Sequence, residues 1–307
     1  MDDRDALRRF MFEHAPVRGE IVRLEESWRA LLTRQDYPPA VRALLGEAMA
    51  ASALLASTLK FDGLLTLQIQ GEGALNLLVA QCANDLTVRG LAKWRGDDPR
   101  GTLAELTGGG RLAITIERSE RRERYQGIVL ADTGTLAACI EAYFAQSEQL
   151  PTRLWLAADG DVAAGMLLQQ MPGDGGDDDG EQAAEPQTPD AVGPEAWRRA
   201  ILLADTLSSE ELLSVGSTEL LRRLFHEEHV RLMDHRPVQF RCSCTRDRVE
   251  SALRLLGRAE LADLLSAEGQ IEVRCEFCNK AYALDAVDME QLLAVDVASP
   301  PGSDRLH

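Results

Sequence analysis

Strict alternation of apolar and polar residues first appears at Leu65, Leu67 and Ile69, which are interleaved with Thr66, Gln68 and Gln70. This is the period of a strand with one buried face. A turn at Gly71-Glu72-Gly73 leads to a second strand over 74–80, and Asn84-Asp85 turns into a third over 86–94. Three antiparallel strands in succession are the simple reading. Gly108-Gly109-Gly110 precedes another alternating run at 111–117, and 125–130 and 152–158 are further strand candidates. Two segments carry helical patterns. Residues 36–60 enter through Pro38-Pro39 and are rich in Ala and Leu, and residues 135–146 are amphipathic. Strands in runs, broken by helices, predict an α+β fold rather than a doubly wound parallel sheet. Residues 1–170 are expected to form this mixed N-terminal domain with an antiparallel sheet.

The pattern then changes. Residues 171–194 are dense in Gly, Pro and Asp and hold almost nothing that could fill a core, the composition of a disordered tether. Residues 195–236 read as a helical linker. Ser208 and Glu211 have the spacing of a capping box, and Leu212, Leu213, Leu220, Leu221 and Leu224 form an apolar stripe broken at Gly216-Ser217. Two short helices of this kind are marginal alone and need a surface to pack on. The N-terminal domain is the expected surface. Residues 237–295 read as a small module: a strand and turn at 240–245, helices at 246–256 and 259–266, and a hairpin of 271–274 with 282–284. Residues 296–307 read as a flexible tail.

Charge narrows the choice of partners. The net charge is −17, and 171–190 contain seven acidic residues and no basic one. A nucleic-acid backbone would require a basic face, so nucleic acid is not expected as a partner. The N-terminus, Met1-Asp2-Asp3-Arg4-Asp5, is acidic where a secretory signal would be basic. The most apolar helical stretch, 48–57, is too short for a bilayer. A cytoplasmic protein without membrane association is the expectation. In a reducing compartment, cysteines are thiols, metal ligands or redox groups. Of the six, Cys82 and Cys139 stand alone in apolar surroundings and read as core residues.

The other four form a pattern: Cys242-x-Cys244, thirty intervening residues, then Cys275-x-x-Cys278. Zinc takes four tetrahedral thiolates at about 2.3 Å, which places the sulfurs roughly 3.8 Å apart, within reach of two tight turns. One structural zinc ion on these four residues is the expectation. A thioredoxin-type reading of Cys275-x-x-Cys278 would need a strand-to-helix placement, and this pair lies between two strand-like segments. His226, His229 and His235 precede the first pair, but four cysteines already fill the coordination sphere, so these read as solvated. A module of about 55 residues rarely draws more than ~3–5 kcal/mol from its core. Structural zinc supplies an apparent ~10–16 kcal/mol. Loss of the metal should therefore unfold the module. Because thiolates are what oxidants attack, the site can serve as a redox switch. A purely structural zinc site has the same ligands, so the chemistry alone leaves both open.

At family level, Arg241-Cys242-Ser243-Cys244, then Val273-Arg274-Cys275-Glu276-Phe277-Cys278 and Tyr282, resemble the bacterial 33 kDa redox-regulated heat-shock chaperones. The run Tyr143-Phe144-Ala145-Gln146-Ser147-Glu148-Gln149-Leu150-Pro151-Thr152 is similar to that family's signature. So are Val88-Arg89-Gly90, Gly165-Met166-Leu167-Leu168-Gln169 before Met171-Pro172, and residues 220–226. The resemblance implies an ATP-independent holdase, not an enzyme, that is inactive while reduced and zinc-bound. Peroxide with mild heat, or hypochlorous acid, would form Cys242–Cys244 and Cys275–Cys278 disulfides. Zinc would leave, the module and linker would unfold, and unfolding client proteins would bind a form that tends to dimerise. The acidic stretch 173–194 is longer and more charged than the family leads one to expect. The competing expectations are a zinc-ribbon interaction or adaptor protein without chaperone activity, and a thiol oxidoreductase.

Overall fold

The computed structural model describes residues 4–58, 62–118, 124–132, 134–172, 189–256 and 258–295. Strands β1 (Ala6–Phe12) and β2 (Val17–Leu24) pair antiparallel and lead into α1 (Glu26–Leu32) and α2 (Pro39–Thr58). A meander follows: β3 (Gly63–Gln70), β4 (Leu75–Ala83) and β5 (Thr87–Trp94). Next come α3 (Leu103–Thr107), β6 (Arg111–Arg118), β7 (Arg124–Leu130), α4 (Leu136–Tyr143) with a π-helical turn at Phe144–Glu148, β8 (Thr152–Ala158) and β9 (Ala163–Gln170). After residue 188 the chain forms α5 (Pro189–Ala204), α6 (Ser209–Ser214), α7 (Ser217–Leu224), β10 (Val230–Pro237) and β11 (Gln239–Phe240).

These strands make two sheets, ordered β10-β1-β2-β9-β8 and β11-β5-β4-β3-β6-β7. All neighbours are antiparallel except β11 beside β5. The α+β expectation holds. Helix α2 lies between the sheets and packs on strands of both. An amphipathic helix would suit one sheet only, whereas a helix apolar all round suits two. Its small residues let the strands come close: a Cβ at Gly46 would lie 2.4 Å from the Ala158 Cβ. By length and apolar character α2 could cross a membrane, but 78% of that window is buried within the fold. The expectation that this stretch is too short is corrected: the helix runs 20 residues, and burial rather than length marks it as core. Its C-terminal end is tied to β2, where Ser57 Oγ donates to the buried Glu20 and Arg9 Nε donates to Glu20 at 3.1 Å. Burial leads these influences and raises the Glu20 carboxyl to about 6.

The first sheet has a second apolar face. Phe10, Phe12, Val17, Ile21, Met166 and Leu168 meet Leu212, Leu220, Leu221, Leu224 and Phe225 there, with Ala200 and Ala204 of α5. The linker helices thus cover the N-terminal domain, as their stripe suggested. The Phe225 ring stands edge-on to Phe12 at 5.1 Å and tilted to Phe10 at 6.0 Å. The expected capping box is present, with Ser208 accepting from the Glu211 amide.

Three expectations change. Residues 230–234 are not helical: they begin β10, which pairs with β1. The expected tether falls mostly on 173–188, outside the described residues, and its last six positions belong to α5. The flexible tail expected at 296–307 likewise lies outside them. The chain divides into two compact units at Arg241/Cys242, so the 195–236 segment belongs to the first unit.

Phe225→Ala should destabilise the first unit by about 3–5 kcal/mol, since it removes a fully buried aromatic ring. A lower denaturant midpoint and greater binding of an apolar dye by the reduced protein would register this.

Candidate metal centre

The second unit is small. It contains α8 (Arg246–Arg254), α9 (Arg258–Glu268), β12 (Ile271–Arg274), β13 (Ala281–Leu284) and α10 (Ala286–Val295). Its core among the described residues is Leu253, Leu261, Ile271, Leu284, Met289 and Leu292. Strands β12 and β13 pair antiparallel, with Arg274 opposite Ala281. Residues 275–280 are therefore the hairpin turn, and they contain the second cysteine pair. The Asn279 amide donates to the Cys275 carbonyl at 2.7 Å, and the Cys275 amide donates to the Lys280 carbonyl at 3.0 Å. Asn279 has φ +56°, a left-handed conformation that asparagine tolerates better than most residues. The turn folds back on itself and aims both thiols to one side.

The first pair lies on the approach to α8. Thr245 caps that helix, its side chain accepting from the Arg248 amide. The Arg248 guanidinium returns to Ser243, donating to its carbonyl at 2.9 Å and its hydroxyl at 2.7 Å, which fixes the residue between the two cysteines. Arg246 joins this loop to the hairpin. It donates to the Ala283 carbonyl at 3.2 Å and pairs with Glu250 at 2.9 Å and Asp288 at 2.6 Å.

The result is one cluster. The Sγ atoms of Cys242, Cys244, Cys275 and Cys278 all lie within 4.8 Å of one another. Cys242 and Cys275 are 3.6 Å apart, and Cys244 and Cys278 are 3.3 Å apart. A tetrahedral zinc–thiolate site has edges of about 3.8 Å, so the donor set fits such an ion in number, chemistry and spacing. All six cysteines are free thiols. Burial opposes ionisation of Cys244, but hydrogen bonds from Tyr282 and the neighbouring thiols outweigh it and bring the thiol down to about 7. Tyr282 Oη donates to Cys244 Sγ at 3.2 Å, and the Lys280 ammonium sits over its ring at 5.1 Å. Burial chiefly raises Cys242, and it pushes Cys278 up to about 12. Without metal, Cys244 is thus more acidic than Cys242 and Cys278.

The sequence pattern anticipated this convergence. Cys82 and Cys139 are fully buried in the first unit, as expected of core residues. His226, His229 and His235 are exposed and take no part in the cluster. The Cys275–Cys278 pair occupies a hairpin turn, not the strand-to-helix junction a thioredoxin-type site requires. Sequence reasoning did not find the hydroxyl of Tyr282, the Arg246 bridge or the Arg248 brace. Only the Thr245 capping position, three residues before Arg248, left a local signal.

An α+β unit whose sheet is covered by helices, followed by a small four-thiol unit, defines a class of candidate metalloprotein with its thiols in a separate module. The comparisons narrow it. The profile of the Hsp33 protein family matches residues 5–285. The 33 kDa chaperonin of Nitrosococcus oceani is 49% identical over 305 residues, covering 99% of this chain and 100% of that protein. That of Methylobacillus flagellatus is 44% identical over 304 residues, covering 99% of each. The crystal structure of the 33 kDa chaperonin of Thermotoga maritima superposes with a TM-score of 0.79 at 25% identity, over 96% of this chain and 100% of that one. The chain belongs to the Hsp33 family.

Tyr282→Phe removes the hydroxyl that holds Cys244. Loss of such a supporting contact typically weakens metal binding ~10–100-fold. Competition with a chromophoric chelator should show a weakening of that order at unchanged metal stoichiometry.

Proposed function

We propose that this chain is a redox-regulated, ATP-independent molecular chaperone, a holdase that binds unfolding proteins after its thiol cluster is oxidised. The observation that carries the proposal is the convergence of four thiols within 4.8 Å in a unit whose described core has six buried apolar side chains. In the reduced form, Cys242, Cys244, Cys275 and Cys278 hold one zinc ion. Soft thiolates suit zinc, and structural zinc supplies an apparent ~10–16 kcal/mol, more than so small a core. Oxidation forms Cys242–Cys244 and Cys275–Cys278 disulfides. Each disulfide takes two electrons from a pair of zinc-held thiolates, and one hydrogen peroxide with two protons from solvent is reduced to two waters. Disulfide sulfurs are poor ligands, so the metal is released and the unit loses its main support.

The linker helices supply the second half of the reading. Chain continuity joins them to the thiols: β10 and β11 lead into Arg241, and Cys242 follows. In the resting state, α5, α6 and α7 cover Phe10, Phe12, Val17, Ile21, Met166 and Leu168. If this segment unfolds after the zinc unit, that sheet face becomes available to apolar client segments and to a second copy of the chain. Large exposed apolar patches are what unfolded chains bind and what drives self-association. Binding of this kind needs no catalytic group, so the protein is read as a non-enzyme. It is placed in the cytoplasm, where its thiols stay reduced until stress. Neither nucleic acid nor membrane is a partner. The charge of the acidic stretch 173–194 helps keep the client-loaded state soluble.

The test follows zinc, surface and activity together. Reduced, zinc-loaded protein is treated with peroxide at mild heat. Expected are release of one zinc per chain, loss of four thiols, a rise in apolar-dye binding, and suppression of client aggregation without ATP. Zinc release without anti-aggregation activity would sink the chaperone reading and favour a zinc-ribbon adaptor. Catalytic turnover of a dithiol donor would favour an oxidoreductase.

A further inference from the structure

A second group of metal-ligating side chains lies in the first unit. Strands β1 and β10 pair as far as Phe12 opposite Val230. The next rung continues the ladder, with the Glu13 amide donating to the His229 carbonyl at 2.9 Å. His14 follows on the same turn, and its ring stands edge-on to that of His229, the centroids 5.1 Å apart. A carboxylate oxygen of Glu13 and a ring nitrogen from each histidine lie within 4.8 Å of one another, and all three side chains are exposed.

We propose that Glu13, His14 and His229 form a second, thiol-free site for a divalent transition-metal ion of the zinc, nickel or copper type. Two imidazoles and one carboxylate form the donor set such ions accept, with water completing the sphere. The backbone bearing the ligands is already ordered. The ladder bond fixes residue 13 against residue 229, the Glu228 amide donates to the Phe225 carbonyl at 3.0 Å, and Arg199 pairs with Glu228. Binding therefore demands little rearrangement. The net charge of −17 raises the local concentration of cations. His226 is not part of this group, and its Nε2 lies 3.8 Å from Glu227.

The placement gives the ion a job. Phe225, whose ring sits among Phe10 and Phe12, lies four residues before His229. An ion held by Glu13, His14 and His229 clamps the chain leaving α7 to the end of β1. Imidazole and carboxylate ligands are not consumed by peroxide as thiolates are, so the clamp persists when the four-cysteine cluster is oxidised.

The test uses the full chain, reduced and with one equivalent of zinc on its thiols. Cobalt(II) is titrated in after excess zinc is removed. One further ion per chain should bind, with weak visible bands and no thiolate-to-cobalt charge-transfer absorption. His14→Ala and His229→Ala should each weaken this binding by at least ~10-fold, and His226→Ala should leave it unchanged. Nuclear magnetic resonance of the unaltered protein gives a reading independent of variant folding: zinc should shift the ring signals of His14 and His229 and spare those of His226 and His235. Absence of saturable binding, equal affinity in the His14→Ala and His229→Ala variants, a thiolate charge-transfer band, or zinc-induced shifts confined to other histidines would overturn the proposal.

Discussion

Four sulfur atoms converge because an arginine and a handful of apolar side chains hold a helix start against a hairpin turn. Arg246 spans from the first turn of α8 to the Ala283 carbonyl and to Asp288 on α10. Its salt bridges are partly exposed, and such pairs contribute little each, with a median of ~0–1 kcal/mol. The six-residue core adds a modest amount. Neither is strong enough to make the thiol geometry independent of what the thiols hold. A metal across the four sulfurs would close both turns at once, and under the proposed function the fold of the unit would then follow the chemistry of its cysteines. Such a unit would suit a sensing role, since the sulfurs that would hold the metal are also the atoms an oxidant attacks.

The first unit presents the complementary arrangement. Strand β9 is buried along nearly its whole length because α2 covers one face of its sheet and the linker helices cover the other. One cover is permanent in character. Helix α2 lies between two sheets and removing it would dismantle both. The other cover consists of short helices, two of them only six and eight residues long, joined by short turns, one of which contains Gly216. Short helices owe most of their stability to packing. The face beneath them is therefore the part of the first unit that can be uncovered while the central core stays intact.

The sequence made the six-stranded sheet easy to read, because strands such as Leu65-x-Leu67-x-Ile69 bury one face and leave period-two alternation. Of the five-stranded sheet it marked only β8, and the rest stayed hidden for a physical reason. Strand β9, Ala-Ala-Gly-Met-Leu-Leu-Gln-Gln, is buried on both faces and so does not alternate. Strand β10, Val-Arg-Leu-Met-Asp-His-Arg-Pro, is an edge strand, mostly exposed, and its partner lies at the other end of the chain in β1. Nothing local marks such a pairing, so residues 230–234 read as a continuation of the helices. The thiol cluster was legible because its spacing is local: one residue in the first pair, two in the second. The Tyr282 hydroxyl was not, because a tyrosine in a short strand carries no mark of the sulfur it faces.

The same distinction separates the two ligand clusters. Four cysteines announce themselves in the sequence because the turns that hold them are short, whereas Glu13, His14 and His229 meet only because β10 returns to the edge of β1. They also differ in what an oxidant does to them. Thiolates lose their ligand character on forming disulfides, while imidazole and carboxylate retain theirs. A chain that bound metal at both donor sets would have one attachment that oxidation removes and another that it leaves alone. The second lies at the point where the linker helices rejoin the sheet. Unfolding that begins at the thiols and spreads back along the chain would reach this seam before it reaches α7, α6 and α5, so an ion bound there would oppose their release.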